Sequence, residues 1–126
     1  MKQYVDGFVL PVQKKKLRAY RKMAELGGKI WIKHGALEYV EAVGDDLKSA
    51  SKWGCLQFPK MAKIKPNEAV VFAFITYKSK AHRNLVNRKV MKDPLMNDPK
   101  QKDKPMPFDM KRMAVGGFKT IVNRRR

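Results

Sequence analysis

A single cysteine, Cys55, rules out any disulfide within this chain, and a lone thiol fits a reducing, cytosolic compartment. Only two histidines are present, His34 and His82, and neither an HExxH nor a CxxC spacing occurs. The sequence therefore carries no recognisable zinc motif, and no metal or cofactor is expected. Long apolar runs are missing as well: nothing approaches the ~18 consecutive apolar residues that a membrane-spanning helix needs. The first residues, MKQYVDGFVLPV, are interrupted by Asp6 and Pro11 and offer too short an apolar run for a secretory signal. There is no glycine-rich phosphate loop, which leaves nucleotide binding without its usual backbone cradle. Acidic residues are scarce, 11 against 29 lysines and arginines. Four of them, Glu38, Glu41, Asp45 and Asp46, crowd into WIKHGALEYVEAVGDD, around and after His34.

Positive charge is abundant. A formal net charge of +18 attracts polyanions, so nucleic acid enters as one expected partner class. The basic residues run the length of the chain, up to the tail at 123–126, and mark no single patch. At 126 residues with 44% hydrophobic content, the chain fits one folded domain spanning 1–126. Domains of this size are modestly stable alone, and an oligomer interface adds burial.

Hydrophobic periodicity sets the element order. Tyr4 to Val12 alternates and is rich in aromatic and β-branched residues, as a strand requires. Gln13 to His34 reads as a helix: Leu17, Tyr20, Ala24, Gly27 and Trp31 recur every three or four residues, with lysines and arginines opposite. Gly27-Gly28 lowers helix propensity and lets a neighbour approach, while Gly35 supplies a stop at positive φ. Leu37 to Val43 is a second strand, with Leu37, Tyr39, Glu41 and Val43 on one face and Glu38, Val40 and Ala42 on the other. Leu47 to Asn67 has no clear period. Glu68 to Lys78 is the strongest strand, apolar on both faces. Ser79 caps a second helix running to Met91, and Asp93-Pro94 ends it. A proline-rich loop, 94–109, leads into a last strand within Arg112 to Val122.

The resulting order, βαββαβ, is an α+β, ferredoxin-like arrangement with a four-stranded antiparallel sheet. Two helices cover one face of such a sheet. The other still carries Val70, Phe72 and Phe74, so a homodimer with sheets face to face is expected.

The segments YVDGFVLPV, AYRKMA, HGALEY, VVFAFITYKSKAHRNLVNRKVMKDP and MPFDMKRMAVGGF, from Tyr4 to near Val122, closely resemble the DUF1428 family of bacterial proteins. The resemblance implies a dimeric α/β barrel, a superfamily that includes cofactor-free monooxygenases, haem-degrading enzymes, EthD-like proteins and stress-response proteins. It implies no settled reaction. The recurrent family residues fall here on Asp6, His34, Glu38, Lys78, His82, Arg83, Asn87, Asp109 and Arg112, among others.

Three classes of function follow. A binding or structural dimer would take a small metabolite between helices and sheet, in a pocket lined by Tyr20, Trp31, Phe72, Phe74 and Phe118, with the Met106–Asp109 segment over it or over the partner subunit. A small cofactor-free oxygenase or related enzyme would use His34 as general base, with Glu38 or Asp6 orienting the ring and Arg83 or Arg112 stabilising an enolate. A polyanion binder, RNA among the candidates, would use the net charge. Lys78, His82, Arg83, Asn87 and Arg112, with Asp6 and Asp109, are the candidate ligand-binding set near the start of the second helix, whose free amides favour anions. Each has a structural counterpart: His34 and His82 as packing residues, the basic side chains as partners of Glu38, Glu41, Asp93 or Asp109.

Overall fold

The computed structural model describes residues 3–98 and 105–126. Strand β1 spans Tyr4–Gln13, helix α1 Leu17–Lys33, β2 Glu38–Val43, a short helix α2 Phe58–Met61, β3 Glu68–Tyr77, helix α3 Lys80–Met91 and β4 Ala114–Lys119. The sheet order is β2-β3-β1-β4 with every neighbouring pair antiparallel, the ferredoxin-like arrangement expected from the strand and helix order. Of the 94–109 loop, residues 99–104 lie outside the described residues.

Register sorts the side chains. Phe8 stands opposite Ala73 and Leu10 opposite Val71; Tyr39 faces Ile75 and Glu41 faces Ala73. All of these point toward the helices. One core cluster joins Ile30 of α1 and Val86 and Val90 of α3 to Ile75 and Tyr77. A second joins Tyr20 and Ala24 of α1 to Leu10, Val12 and Val71. Each fully buried aliphatic side chain here contributes about 1.5–3 kcal/mol.

Helix boundaries follow their local chemistry. Ser79 accepts from the backbone N–H of His82 at 3.0 Å, capping α3. Gly35 takes φ +114° after α1, and the Ala36 N–H returns to the Trp31 carbonyl at 3.0 Å. Gly27 and Gly28 admit the ring of Tyr39: a Cβ at either position would meet it at 3.0 Å. The start of the first helix is a 3-10 turn over Lys14–Lys16, so α1 begins four residues later than its apolar period suggests. The aperiodic 47–67 region forms a 3-10 turn, Ser49–Trp53, and α2. Phe58 of α2 packs edge-on against Phe72, with centroids 6.3 Å apart. Elements this short hold by tertiary contact and leave no repeat to read. The last strand is shorter than expected, because Met110–Arg112 forms a 3-10 turn before it.

The face away from the helices carries Val5, Val9, Val40, Phe72, Phe74 and Phe118. The α2 segment shelters one end of it. Phe72 is still 45% and Phe118 61% exposed in the single chain.

Candidate functional site

A cavity of about 670 Å³ lies on the helix side of the sheet, between α1, β1–β3 and the segment 105–113. Small residues shape the space: Ala73 on β3 lines it without filling it, and Gly27 on α1 lets Tyr39 come in to form part of its wall. Phe8, Tyr20, Trp31, Tyr39 and Phe108 supply its aromatic wall, with Tyr20 and Phe108 meeting edge to face at 5.8 Å. Of the aromatics expected in a pocket, Tyr20 and Trp31 are here. Phe72, Phe74 and Phe118 are not, since their strand positions put them on the opposite face from Ala73 and Ile75. Met106, Pro107 and Phe108 do line the cavity.

Its charged centre is Glu41. Tyr20 donates its hydroxyl hydrogen to Glu41 Oε1 in a short hydrogen bond, and Tyr39 donates to Oε2 at 2.7 Å. Burial raises both phenol pKa values above their ordinary 10, and hydrogen bonding to the Glu41 carboxylate raises them further. The phenols therefore stay protonated and act as donors. Glu41, Tyr20 and Tyr39 also line a more open groove on the other side of α1. The sequence signal for Glu41 is its strand parity, a carboxylate in the same phase as Leu37, Tyr39 and Val43, whereas the expected site residue of that stretch is Glu38.

A second polar group lies deeper, beside Trp31. Asp6 is buried opposite Ile75, with Arg83 Nε 3.3 Å from its Oδ1 and the Tyr77 hydroxyl hydrogen-bonded to it. Burial raises the Asp6 pKa, and the Arg83 charge and the Tyr77 bond pull against that rise. Burial also raises the Tyr77 pKa, with the Asp6 charge adding to it. Asn87 Oδ1 accepts from the Trp31 indole at 3.2 Å and lies 3.4 Å from the Tyr77 hydroxyl. Arg83 donates to the Tyr4 hydroxyl at 3.2 Å and stacks over that ring, 5.0 Å from its centroid. Gly117 makes room for this pair. Asp6, Arg83 and Asn87, singled out from sequence, thus share one network.

The other candidates disperse. His34 Nε2 lies 2.6 Å from Asp93 Oδ2, beside Lys33 at 3.2 Å, at the junction of the C-terminal ends of α1 and α3. The His34 bond above all, then the Leu95 amide, draws the Asp93 pKa down to about 2. Glu38 sits on the open sheet face, where Thr76 Oγ1 donates to it at 3.3 Å. The structure does not bring His34 and Glu38 together. His82 Nδ1 accepts the Lys78 backbone N–H at 3.0 Å, which fixes the turn into α3. Asp109 caps the 3-10 turn through the Lys111 N–H. Arg112 grips Glu68 with two hydrogen bonds, at 2.6 and 2.9 Å. Arg112 holds Glu68 at the start of β3, while Arg83 holds Asp6 and Tyr4, opposite Ile75 and Tyr77 near its other end, so the two arginines contact positions roughly 20–30 Å apart along the strand.

Comparison with known proteins agrees with the resemblance. The model of the DUF1428 family, "Protein of unknown function (DUF1428)", matches residues 3–110. The chain belongs to the DUF1428 family. "Uncharacterized protein YbaA" of Escherichia coli (strain K12) is 40% identical over 121 residues, 96% of this chain and 98% of that protein, and the Shigella flexneri protein of the same name gives the same figures. Among solved structures, the de novo designed protein Foldit4 aligns over 98% of this chain and 100% of its own, at 12% identity and a TM-score of 0.41. The DUF1428 match takes in Tyr20, Tyr39, Glu41 and the Asp6–Arg83–Asn87 network, and ends before Arg112 and β4. Among the described residues of this DUF1428 chain, no helix is long and apolar enough to cross a membrane.

Proposed function

We propose that this chain binds a small, largely apolar molecule in the cavity between α1 and the sheet, and works as a homodimer joined through its open sheet faces. The cavity carries the ligand reading. Its 670 Å³ falls in the range of small-molecule sites, and its wall is aromatic and aliphatic around one carboxylate. The exposed Phe72 and Phe118 support the dimer, because an apolar sheet face of this kind is costly in water and complementary to its own twofold copy.

Thermal-shift screening of the purified protein against a metabolite library, with native mass spectrometry of the hits, tests the ligand reading. A ligand at about a hundredfold above its Kd stabilises the fold by ~2.7 kcal/mol. The Ala73→Phe variant, which fills the cavity floor, should lose that response while keeping its far-UV circular dichroism. A library that moves neither protein, together with a bare chain in native mass spectra, would overturn the reading.

Catalysis by His34 is the second reading, and one observation favours it: Asp93 at 2.6 Å is the orienting carboxylate that a histidine base needs. It places the chemistry at the α1–α3 junction, outside the lining of the cavity. His34→Ala with undiminished turnover of an identified substrate would exclude it.

A further inference from the structure

The polar groups of the cavity can be counted by what they still have to give. Tyr20 and Tyr39 each own one hydroxyl hydrogen, and both are committed to Glu41. The Trp31 indole hydrogen is committed to Asn87. Among the described residues, Lys22 is the remaining side-chain donor in the lining, and it is exposed, at the rim. What faces the interior is therefore acceptor capacity: the second lone pairs of both Glu41 oxygens and the phenol oxygens. Around these acceptors stand the rings of Tyr20, Tyr39, Trp31 and Phe108, with Trp31 and Tyr39 tilted at 41° and 6.2 Å apart.

This inventory discriminates between ligands. A carboxylate or phosphate end would meet Glu41 as a like charge, with no uncommitted buried side-chain donor among the described lining residues to receive it. A purely apolar molecule would cover the carboxylate and leave its remaining lone pairs unmet. An ammonium supplies up to three N–H donors, opposes the Glu41 charge and gains from the aromatic faces beside it. The protein's net charge of +18 repels a cation at long range. That field is screened within ~8 Å at physiological ionic strength, leaving the contact chemistry to decide.

We infer that the cavity takes an organic amine, an apolar body ending in a protonated nitrogen that docks on Glu41 between Tyr20 and Tyr39. This rests on the cavity being a ligand site, and the test separates the two claims. Phenylbutylamine, phenylbutanol and phenylbutyrate share a body and differ in their polar end. Their affinities are measured by calorimetry at physiological salt, with the Trp31 indole resonance reporting occupancy. The amine is expected to bind about tenfold or more tighter than the alcohol, with the carboxylate weakest. Glu41→Gln should bring amine and alcohol within about twofold of each other. Tyr20→Phe keeps the carboxylate and frees one of its oxygens, so the amine preference should survive there even if Glu41→Gln fails to fold. An alcohol or carboxylate that matches the amine on the wild-type protein would overturn the amine assignment and leave the cavity as a site. So would an amine preference that survives in folded Glu41→Gln or disappears in folded Tyr20→Phe. No binding by any of the three would overturn the amine assignment and count against the cavity as well.

Discussion

Replacing Arg112 by leucine tests whether one ion pair pins the outer wall of the cavity to the sheet. Glu68 begins β3 with its side chain only 6% accessible. Its carboxylate accepts from Arg112 at 2.6 and 2.9 Å and from the Lys65 amide at 2.8 Å, and Arg112 also donates to the Lys63 carbonyl at 2.9 Å. The Arg112 hydrogen bonds above all hold the Glu68 pKa down to about 2, from an ordinary 4.5, against the upward push of burial. At about 1.4 kcal/mol per pKa unit that fall corresponds to ~3 kcal/mol, and with part of Arg112 in solvent we take ~2–3 kcal/mol. The folded pKa is the lower one, so this stability is fully present above the unfolded pKa and is lost as pH falls from 4.5 toward 2. Arg112→Leu should therefore cost ~2–3 kcal/mol at neutral pH, or about 10 °C in Tm for a domain of this size. Near pH 2 the gap from wild type should shrink to about half or less. Urea unfolding followed by far-UV circular dichroism at both pH values measures it. A variant as stable as wild type at neutral pH, or a deficit that stays constant into acid, would refute the reasoning. The double change Arg112→Leu with Glu68→Leu should recover most of the loss, because no buried charge is then left unpaired.

Three further outcomes are expected. Gly117→Ala places a methyl group 2.3 Å from the Tyr4 hydroxyl and 2.6 Å from Arg83 Nη2, so urea titration should show a loss of ~1–3 kcal/mol, and unchanged stability would mean that the Tyr4–Arg83 pair yields freely. Phe72→Glu and Phe118→Glu should each shift light-scattering mass from dimer to monomer, since losing one phenyl counted twice by symmetry is worth ~3–6 kcal/mol, a ~10²–10⁴-fold rise in Kd; a wild-type protein that is monomeric at micromolar concentration defeats the sheet-to-sheet proposal. Asp93→Ala removes the acceptor shared by His34, Lys33 and the Leu95 amide. It should lower Tm by several degrees and speed amide exchange at Gly35 and Leu95, while the Ser79 end of α3 keeps its protection. The Asp93 pKa is likewise depressed to about 2, so this effect too should fade as pH falls toward that value.

The order of elements was readable because period and parity are local properties. Alternation in Glu68–Tyr77 and the three-four spacing from Leu17 to Trp31 follow from backbone geometry alone, and both gave their element. Ser79 and Gly35 marked ends for equally local reasons, a side-chain acceptor and a positive φ. The 47–67 region stayed opaque because its short turns depend on Phe58 meeting Phe72, a contact made fourteen residues along the chain and across the sheet. The site was legible only in part. Asp6, Arg83 and Asn87 do gather, yet the partner of Arg112 is Glu68, ahead of β3, and that of His34 is Asp93, at the far helix end. Both pairings join residues about forty-four to fifty-nine positions apart, a separation that no spacing rule reaches.

The distribution of carboxylates gives the molecule its functional asymmetry. Surface charge is overwhelmingly positive, but Asp6, Glu68 and Asp93 are buried and matched to basic partners from a distant element: Arg83, Arg112, and His34 with Lys33. Each of these three ties two elements together. Glu41 differs. Its hydrogen-bond partners are phenols, which satisfy one acceptor site on each oxygen but bring no positive charge; Arg18, Arg21 and Lys29 line the open groove on its other side, yet among the described residues no lysine, arginine or histidine forms an ion pair with it. A carboxylate placed beside a cavity in a chain with 29 basic side chains, and hydrogen-bonded among the described residues to tyrosines, offers acceptor sites to something that enters. That is why Glu41, in place of the histidines or the surface charge, is the residue on which the function of this fold is best tested.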